Sequence, residues 1–343
     1  MKVLCYSSFT FSYLNRARVL FQSLRRFHPE WELVALITDE PPPGLRLYLA
    51  AEPFDRVVWA KDLGIADFPG WLFKHDIVEA CTAVKGPFLH QACAGSGADA
   101  VIYLDPDTAL FASLSPIEAW LEESDILLTP HLIAPNHTPE AIADNDLSAS
   151  RTGIFNLGFV AVRTTGEGAR FAAWWNERLL DWCYDEMAMG LFVDQRWCDH
   201  VPALFDKVKV IRDPGYNVAS WNLSTRTVAM PKSGVITVNG VPLRFWHFTK
   251  LGPLGDAMTR KYGADNYPVY EIWNWYKDHV AAATDPVIPD GWWAYGAYSD
   301  GAPIEKPHRV IYRQRPDLQA AFSDPFAVGE GGYRHWLAQE GLL

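Results

Sequence analysis

Val101-Ile-Tyr-Leu-Asp-Pro-Asp-Thr-Ala-Leu-Phe111 decides how this chain folds. Four apolar residues run into Asp105 and Asp107, and an apolar run then resumes. A short continuous apolar run of this kind reads as a strand buried on both faces. Strand side chains alternate, so Asp105 and Asp107 leave its end on the same side. Two carboxylates held that close repel unless a cation or a shared proton neutralises them. Hard divalent ions with oxygen ligands suit the pair, and substrate phosphates typically complete such sites. In open α/β sheets the ligand crevice lies at the carboxyl ends of the strands, where this pair falls. Taken alone, Asp-x-Asp more often marks a polar turn after a strand with solvated carboxylates.

Outward from this segment, strands and helices alternate. Lys2–Tyr6 reads as a first strand, followed by a helix over Tyr13–Phe27 with Leu14, Ala17, Leu20, Phe21, Leu24 and Phe27 on one stripe. Glu32–Thr38 and Val57–Ala60 read as strands, and Lys74–Cys93 as one helix leading into Val101–Leu104. Ser124–Thr129 and Leu157–Arg163 supply further strands, followed by a Trp-rich helix over Glu167–Met187. This succession predicts an α/β fold, a mostly parallel sheet flanked by helices. Residues 129–154 are polar and read as an irregular functional loop. After Arg244-Phe-Trp-His-Phe-Thr249 the character changes. Residues 256–343 read as a mostly helical and irregular extension packed on a domain spanning 1–255, with helices near 267–283 and 332–340.

Composition narrows the chemistry. The 343 residues are 49% apolar and carry a formal net charge of −11 without a basic block, which argues against nucleic acid as a partner. No apolar run reaches the length of a membrane span, and the N-terminus lacks a signal-peptide core. Five cysteines without a CxxC pair argue against a disulfide framework or zinc site and for a reducing, cytoplasmic setting. Fifteen Trp and fourteen Tyr exceed what an average core needs, and aromatic platforms also suit sugars.

Other candidate residues each have a structural reading beside the functional one. Asn156 and Gly158 precede a buried strand, where the amide can donate to and accept from a hydroxyl-bearing ligand, or cap a turn. Asp194 and Gln195 follow an apolar run at a helix start, so Asp194 reads as an N-cap or as a carboxylate aimed into the crevice. His247, among aromatics on a strand, reads as a core histidine or a ligand; Lys250 follows as a point charge for phosphate. Lys85 reads as an exposed helix lysine or a fixed charge behind the acidic pair.

In this order the segments resemble glycosyltransferase family 8, retaining transferases with the GT-A nucleotide-sugar fold. The matching pieces are the opening strand and helix ending in Phe27-His-Pro-Glu30, Tyr103-Leu-Asp-Pro-Asp107, Phe155-Asn-Leu-Gly-Phe-Val160, Val193-Asp-Gln195 and Trp246-His-Phe-Thr249. The resemblance spans residues 1 to about 255. It implies Asp105, Asp107 and His247 as ligands to Mn²⁺ or Mg²⁺, with Lys85 and Lys250 adding charge at the donor diphosphate. It implies that Asn156, Gly158 and Asp194–Gln195 line the sugar pocket, with Asp194 or Gln195 facing the anomeric carbon. The implied donor is a nucleotide sugar, UDP-linked in the family, and the acceptor a glycan or lipid-linked hydroxyl, with peripheral membrane contact. Where the family's first loop is acidic, this chain has Ser7-Ser-Phe-Thr-Phe11, which leaves Ser8, Thr10 and a stacking Tyr13 for the nucleotide. The late motif lacks the family's Lys-Pro-Trp ending. Arg315-Pro-Asp-Leu-Gln319 and Tyr333-Arg-His-Trp-Leu337 are similar to segments of larger bacterial surface-polysaccharide transferases. Two rival readings exist. Leu104-Asp-Pro-Asp-Thr108 also fits the Asp-x-Asp-x-Thr signature of haloacid-dehalogenase-type phosphotransferases, with Asp105 as nucleophile. A non-catalytic carbohydrate-binding protein would use the aromatics alone.

Overall fold

The computed structural model describes residues 1–232 and 234–343. Its centre is a seven-stranded sheet built from β1 (Val3–Phe9), β2 (Glu32–Ile37), β3 (Arg56–Trp59), β4 (Ala100–Leu104), β6 (Ile126–Pro130), β7 (Phe155–Arg163) and the strand Val208–Val210; the short β5 (Thr108–Leu110) lies outside it. The order is 208–210, β6, β7, β4, β1, β2, β3, and only β7 runs antiparallel to its neighbours. This is the mostly parallel, helix-flanked sheet that the strand–helix succession led us to expect.

The apolar runs form these strands because both faces are covered. Leu4, Tyr6, Val101 and Tyr103 point into one core, with Ala80, Phe88, Phe171 and Trp175 from the helices Ile77–Ala83, Lys85–Gly95 and Gly166–Trp182. Val3, Cys5, Ile102 and Leu104 point into the other, against Leu14, Leu20, Phe21 and Leu24 of the helix Leu14–Phe27. A run with apolar residues at every position is what burial on both faces requires.

Three local expectations need correction. The single helix expected over 74–93 is two helices, Ile77–Ala83 and Lys85–Gly95. Pro87 has no N–H to donate to Ala83, so the ladder breaks there, while Asp76 and Glu79 cap the first helix reciprocally. The segment expected to be irregular is helical from Pro139 to Thr152. The Thr138 hydroxyl accepts from Ala141 N–H, and Pro139 occupies the first helical position, which suits its missing donor. The Trp-rich helix ends at Trp182 and not near 187, because the chain turns through left-handed Gly190 into a hairpin pairing Asp185–Glu186 with Leu191–Phe192.

The helices Pro253–Gly263 and Tyr267–Ala282 pack on the strand Phe245–His247, where Phe248 stacks on Tyr276 at 3.7 Å between ring centroids. Farther on, helices Lys306–Gln314, Pro316–Ala321 and Tyr333–Gln339 close around Phe73, Tyr312 and Tyr333. Buried Arg309 donates to the backbone carbonyls of Phe73, His75 and Tyr295. All five cysteines are free, and no helix among the described residues is long and apolar enough to cross a membrane.

Candidate active site

The strand β4 delivers Asp105 at its carboxyl end, where the Asp105 N–H donates to Gly158 C=O at 2.9 Å. A tight turn follows, with Thr108 N–H and the Thr108 hydroxyl both donating to Asp105 C=O. The chain then enters β5, which pairs antiparallel with Phe245–His247 and sets His247 opposite Thr108. This pairing carries a residue from position 247 onto the acidic pair. The His247 Nε2 lies 3.1 Å from Asp107 Oδ1 and 3.6 Å from Asp105 Oδ2. One ligand atom from each of the three residues falls within 4.8 Å of the others. Two carboxylates and an imidazole suit a divalent cation with oxygen and nitrogen ligands.

The far side of His247 fixes its orientation. The Nδ1 faces Asn156 Oδ1 at 3.2 Å and Asn217 Oδ1 at 3.3 Å. Both are acceptors, so Nδ1 carries a proton and donates, which aims Nε2 at the carboxylates: it donates to Asp107 when the ring is an imidazolium and offers its lone pair to a cation when the ring is neutral. The amide orientations agree, since Asn217 Nδ2 donates to Thr129 Oγ1 and Asn156 Oδ1, and Asn156 Nδ2 donates to His131 Nε2. A Cβ added at Gly158 would stand 2.6 Å from the His247 ring, so only glycine leaves the ring its place. Burial alone would lower the His247 pKa, but the Asp107 carboxylate outweighs it and the net shift is upward. Asp107 shifts the other way: burial favours its acid form, and His247 more than offsets this, so its pKa falls.

Lys85 is 2% exposed, not an exposed helix lysine. Its ammonium lies 3.1 Å from Asp105 Oδ1, 2.9 Å from Asp194 Oδ2 and 3.2 Å from Leu157 C=O, and 4.1 Å from the centroid of the Tyr103 ring. Burial opposes its charge, yet the two carboxylates hold its pKa above the ordinary lysine value. Burial pushes Asp194 up to about 6 although Lys85 pulls it down. Asp194 caps no helix: it is the buried partner of Lys85, and the turn Arg196–His200 begins after Gln195.

Two cavities flank this cluster. The first, about 270 Å³, is lined by Ser8, Thr10, Tyr13, Lys85, Asp105 and Asp107, and its far wall by Ile77 and Val78. The Ser8 hydroxyl donates to Cys81 C=O at 2.6 Å, and the Thr10 and Ser12 hydroxyls pair at 2.8 Å. The second, about 260 Å³, is lined by Asn156, Gln195, Lys250, His131 and Trp221. Gln195 reaches it while Asp194 does not. Thus the residues singled out from the sequence converge on one region, with Lys250 on the second cavity instead of beside Lys85.

Sequence reasoning passed over Tyr103, His131 and Asn217. Tyr103 donates its hydroxyl to Asp105 Oδ1 at 2.5 Å; it stood two residues before the acidic pair, on the same face, and that spacing was a usable signal. Asn217 is fully buried with φ 51°, in a loop whose path no local pattern reveals.

No family model matches the chain. Two curated proteins of Bacillus subtilis (strain 168), the uncharacterized proteins YfnF and YfnD, are 31% identical over 177 residues and 29% identical over 174 residues. These matches cover 51% and 50% of this chain and 57% and 53% of the relatives, so the chain spans about half the length of the curated relatives it matches. Among solved structures, the galactosyltransferase LgtC in complex with donor and acceptor sugar analogs is 14% identical with a TM-score of 0.45, over 84% of this chain and 98% of that one. The glycosyltransferase GlyE of Streptococcus pneumoniae TIGR4 is 16% identical with a TM-score of 0.43, over 81% and 64%. Mouse xyloside xylosyltransferase 1 is 14% identical with a TM-score of 0.42, over 74% and 98%.

Proposed function

We propose that this chain is a metal-dependent glycosyltransferase of the family 8 kind, moving a sugar from a nucleoside diphosphate donor to a hydroxyl of a glycan or lipid-linked acceptor with retention. The observation that carries this reading is the Asp105–Asp107–His247 cluster, whose two carboxylates line the first cavity and whose histidine is held by Asn156 of the second, with the Lys85 ammonium buried behind it. Asp105, Asp107 and His247 would hold Mn²⁺ or Mg²⁺, which when bound offsets the negative charge that grows on the leaving diphosphate. Lys85 keeps the site electrostatically prepared, since a positive charge fixed before reaction needs no reorganisation during it. Tyr13 offers a half-exposed ring for stacking a base, uracil in the family's usual donor, with Ser8 and Thr10 on the same wall. Asn156 and Gln195 present amide groups to the second cavity, where sugar hydroxyls need both donors and acceptors. Gln195 is the member of its pair that faces the anomeric carbon, with Asp194 setting the field behind it through Lys85. Lys250 meets the diphosphate or the acceptor from the other side. The cytoplasm, where nucleotide sugars are made and thiols stay reduced, is the setting this chemistry asks for.

Purified protein incubated with Mn²⁺ and a panel of nucleotide sugars should release nucleoside diphosphate, and EDTA should stop the release. Asp107→Asn should lose metal-dependent donor binding in calorimetry, since one carboxylate of the cluster becomes a neutral amide. Turnover that EDTA leaves untouched would sink the reading. Phosphate release from a phosphomonoester, abolished in Asp105→Asn, would replace it with phosphotransfer. The anomeric configuration of the transferred sugar, read by NMR, decides retention.

A further inference from the structure

A cleft of about 450 Å³ opens between the sheet domain and the last helices, and the chemistry above makes no use of it. One wall is the end of the helix Gly166–Trp182 and the hairpin after it, with Asp181, Trp182 and Glu186. The other is the turn between the helices Lys306–Gln314 and Pro316–Ala321, with Arg313, Gln314 and Gln319. Both walls are fixed by contacts of their own. The Trp71 indole N–H donates to Leu180 C=O at 2.7 Å and the Trp197 indole N–H to Trp182 C=O at 3.1 Å, which pins the backbone that presents Trp182. Opposite, Arg313 lies 4.0 Å from the centroid of the buried Tyr184 ring and pairs with Glu186 and Glu79. Gln319 Nε2 donates to Tyr312 C=O at 2.9 Å and Arg313 C=O at 3.0 Å.

Within that frame an aromatic ring and several polar groups stay open. Trp182 is 47% exposed although it sits in a concavity. Lys74 also lines the cleft. Among the described residues, Lys74 Nζ, the Asp181 carboxylate, the Gln314 amide and Gln319 Oε1 have no hydrogen-bond or ion-pair partner, and none of them is sealed from solvent. An exposed aromatic in a polar-rimmed concavity marks a binding site. The electron-rich face of an indole attracts the C–H groups of a pyranose ring. The hydroxyls around such a ring need donors and acceptors side by side: an ammonium donates, a carboxylate accepts, and amides do both. Charge on the walls balances, Lys74 against Asp181 and Arg313 against Glu186, which favours neither an anionic nor a cationic ligand. Glu186 and Met189 of the cleft belong to the hairpin that pairs Asp185–Glu186 with Leu191–Phe192, and Phe192 lines the second cavity. Paired strands lie about 5 Å apart, so a glycan seated in the second cavity reaches the cleft by crossing one hairpin.

We propose that this cleft binds a neutral oligosaccharide, one pyranose ring stacked on Trp182, as a stretch of the acceptor glycan outside the reaction centre. Assigning it to the acceptor rests on the glycosyltransferase reading; the binding itself does not. The test is therefore run on the full chain in EDTA without nucleotide, so that the two readings fail separately. Cellotriose, maltotriose, tri-N-acetylchitotriose and, as a charged comparison, trigalacturonate are titrated at matched ionic strength by calorimetry, and hydrogen exchange locates the bound sugar. One neutral trimer should bind more tightly than trigalacturonate and protect 180–186 and 313–319. Trp182→Ala should weaken that binding at least tenfold. Tyr267→Ala, which removes an aromatic 73% exposed outside the cleft, should leave it within twofold. If Trp182→Ala does not fold, Gln314→Ala at an exposed position replaces it and should weaken binding at least threefold. Binding of no neutral trimer, equal or tighter binding of trigalacturonate, protection confined to 144–152 and 249–258 around the second cavity, or unchanged affinity in the variant used overturns the proposal.

Discussion

Among the described residues, Lys85 is the one ammonium or guanidinium that touches Asp194 and Asp105, and replacing it by methionine removes that charge while keeping an unbranched apolar stem. The Lys85 and Asp194 side chains are each 3% exposed, so solvent screens this pair little. Breaking one half of a buried pair typically costs about 3–5 kcal/mol. The pH dependence follows from the Asp194 carboxyl. With Lys85 present, its pKa already stands at about 6 against 3.8 for the free group. At 1.36 kcal/mol per unit, keeping it ionised costs on the order of 3 kcal/mol. An acid whose folded pKa lies above its unfolded value loses stability as pH rises from the unfolded value through the folded one. Without Lys85 the folded pKa climbs further, so the losing window extends past pH 6. The penalty of Lys85→Met should therefore be largest at pH 8 and smaller at pH 5, where Asp194 is protonated and needs no partner. Urea unfolding followed by tryptophan fluorescence, in EDTA, at both pH values measures it. Adding Asp194→Asn to Lys85→Met should restore much of the loss at pH 8, since the orphaned charge is gone. An equal penalty at both pH values, or no recovery in the double variant, would refute the argument.

Other expectations concern the metal cluster. Gly158→Ala places a Cβ 2.6 Å from the His247 ring and 2.8 Å from Asn156 Oδ1. The ring must shift, and Mn²⁺ affinity by calorimetry should fall at least tenfold with the fold retained by circular dichroism; undiminished affinity would mean that His247 is no ligand. Asn217→Gly keeps the left-handed backbone at φ 51° accessible while deleting the amide that faces His247 Nδ1. Outer-shell losses of this kind typically cost about 10–100-fold in metal affinity, so a change under threefold would remove Asn217 from the cluster's support.

The parts of this molecule that could be read from the chain are those whose signal is local. The strand Val101–Leu104 announced itself because burial on both faces demands an uninterrupted apolar run, and Asp105 and Asp107 stood out because nothing apolar explains them. Lys85 gave no such signal. Its meaning depends on Pro87 breaking the helix and on Gly86 lying so close to the opposing helix that an added Cβ would stand 2.9 Å from Asn176 Cα, neither of which a helical stripe foretells. The helix Leu147–Thr152 was missed because Asp, Asn, Ser and Thr read as loop, whereas Thr138 and Pro139 start the helical stretch at a single cap. His247 shows the limit most sharply. Judged by its aromatic neighbours it is a core histidine, and at 4% exposure it is buried as a core residue would be. What turns it into a candidate ligand is the pairing of β5 with a strand more than 130 residues away, which sets it across from Thr108. Composition and periodicity hold no trace of that register; only the order of motifs hinted at it. The same holds for Asn217, which can orient His247 only from a backbone conformation that asparagine tolerates better than most residues. Residues that act through partners distant in sequence become visible when the sheet is assembled, and here those are the residues that convert an acidic turn into a candidate metal site.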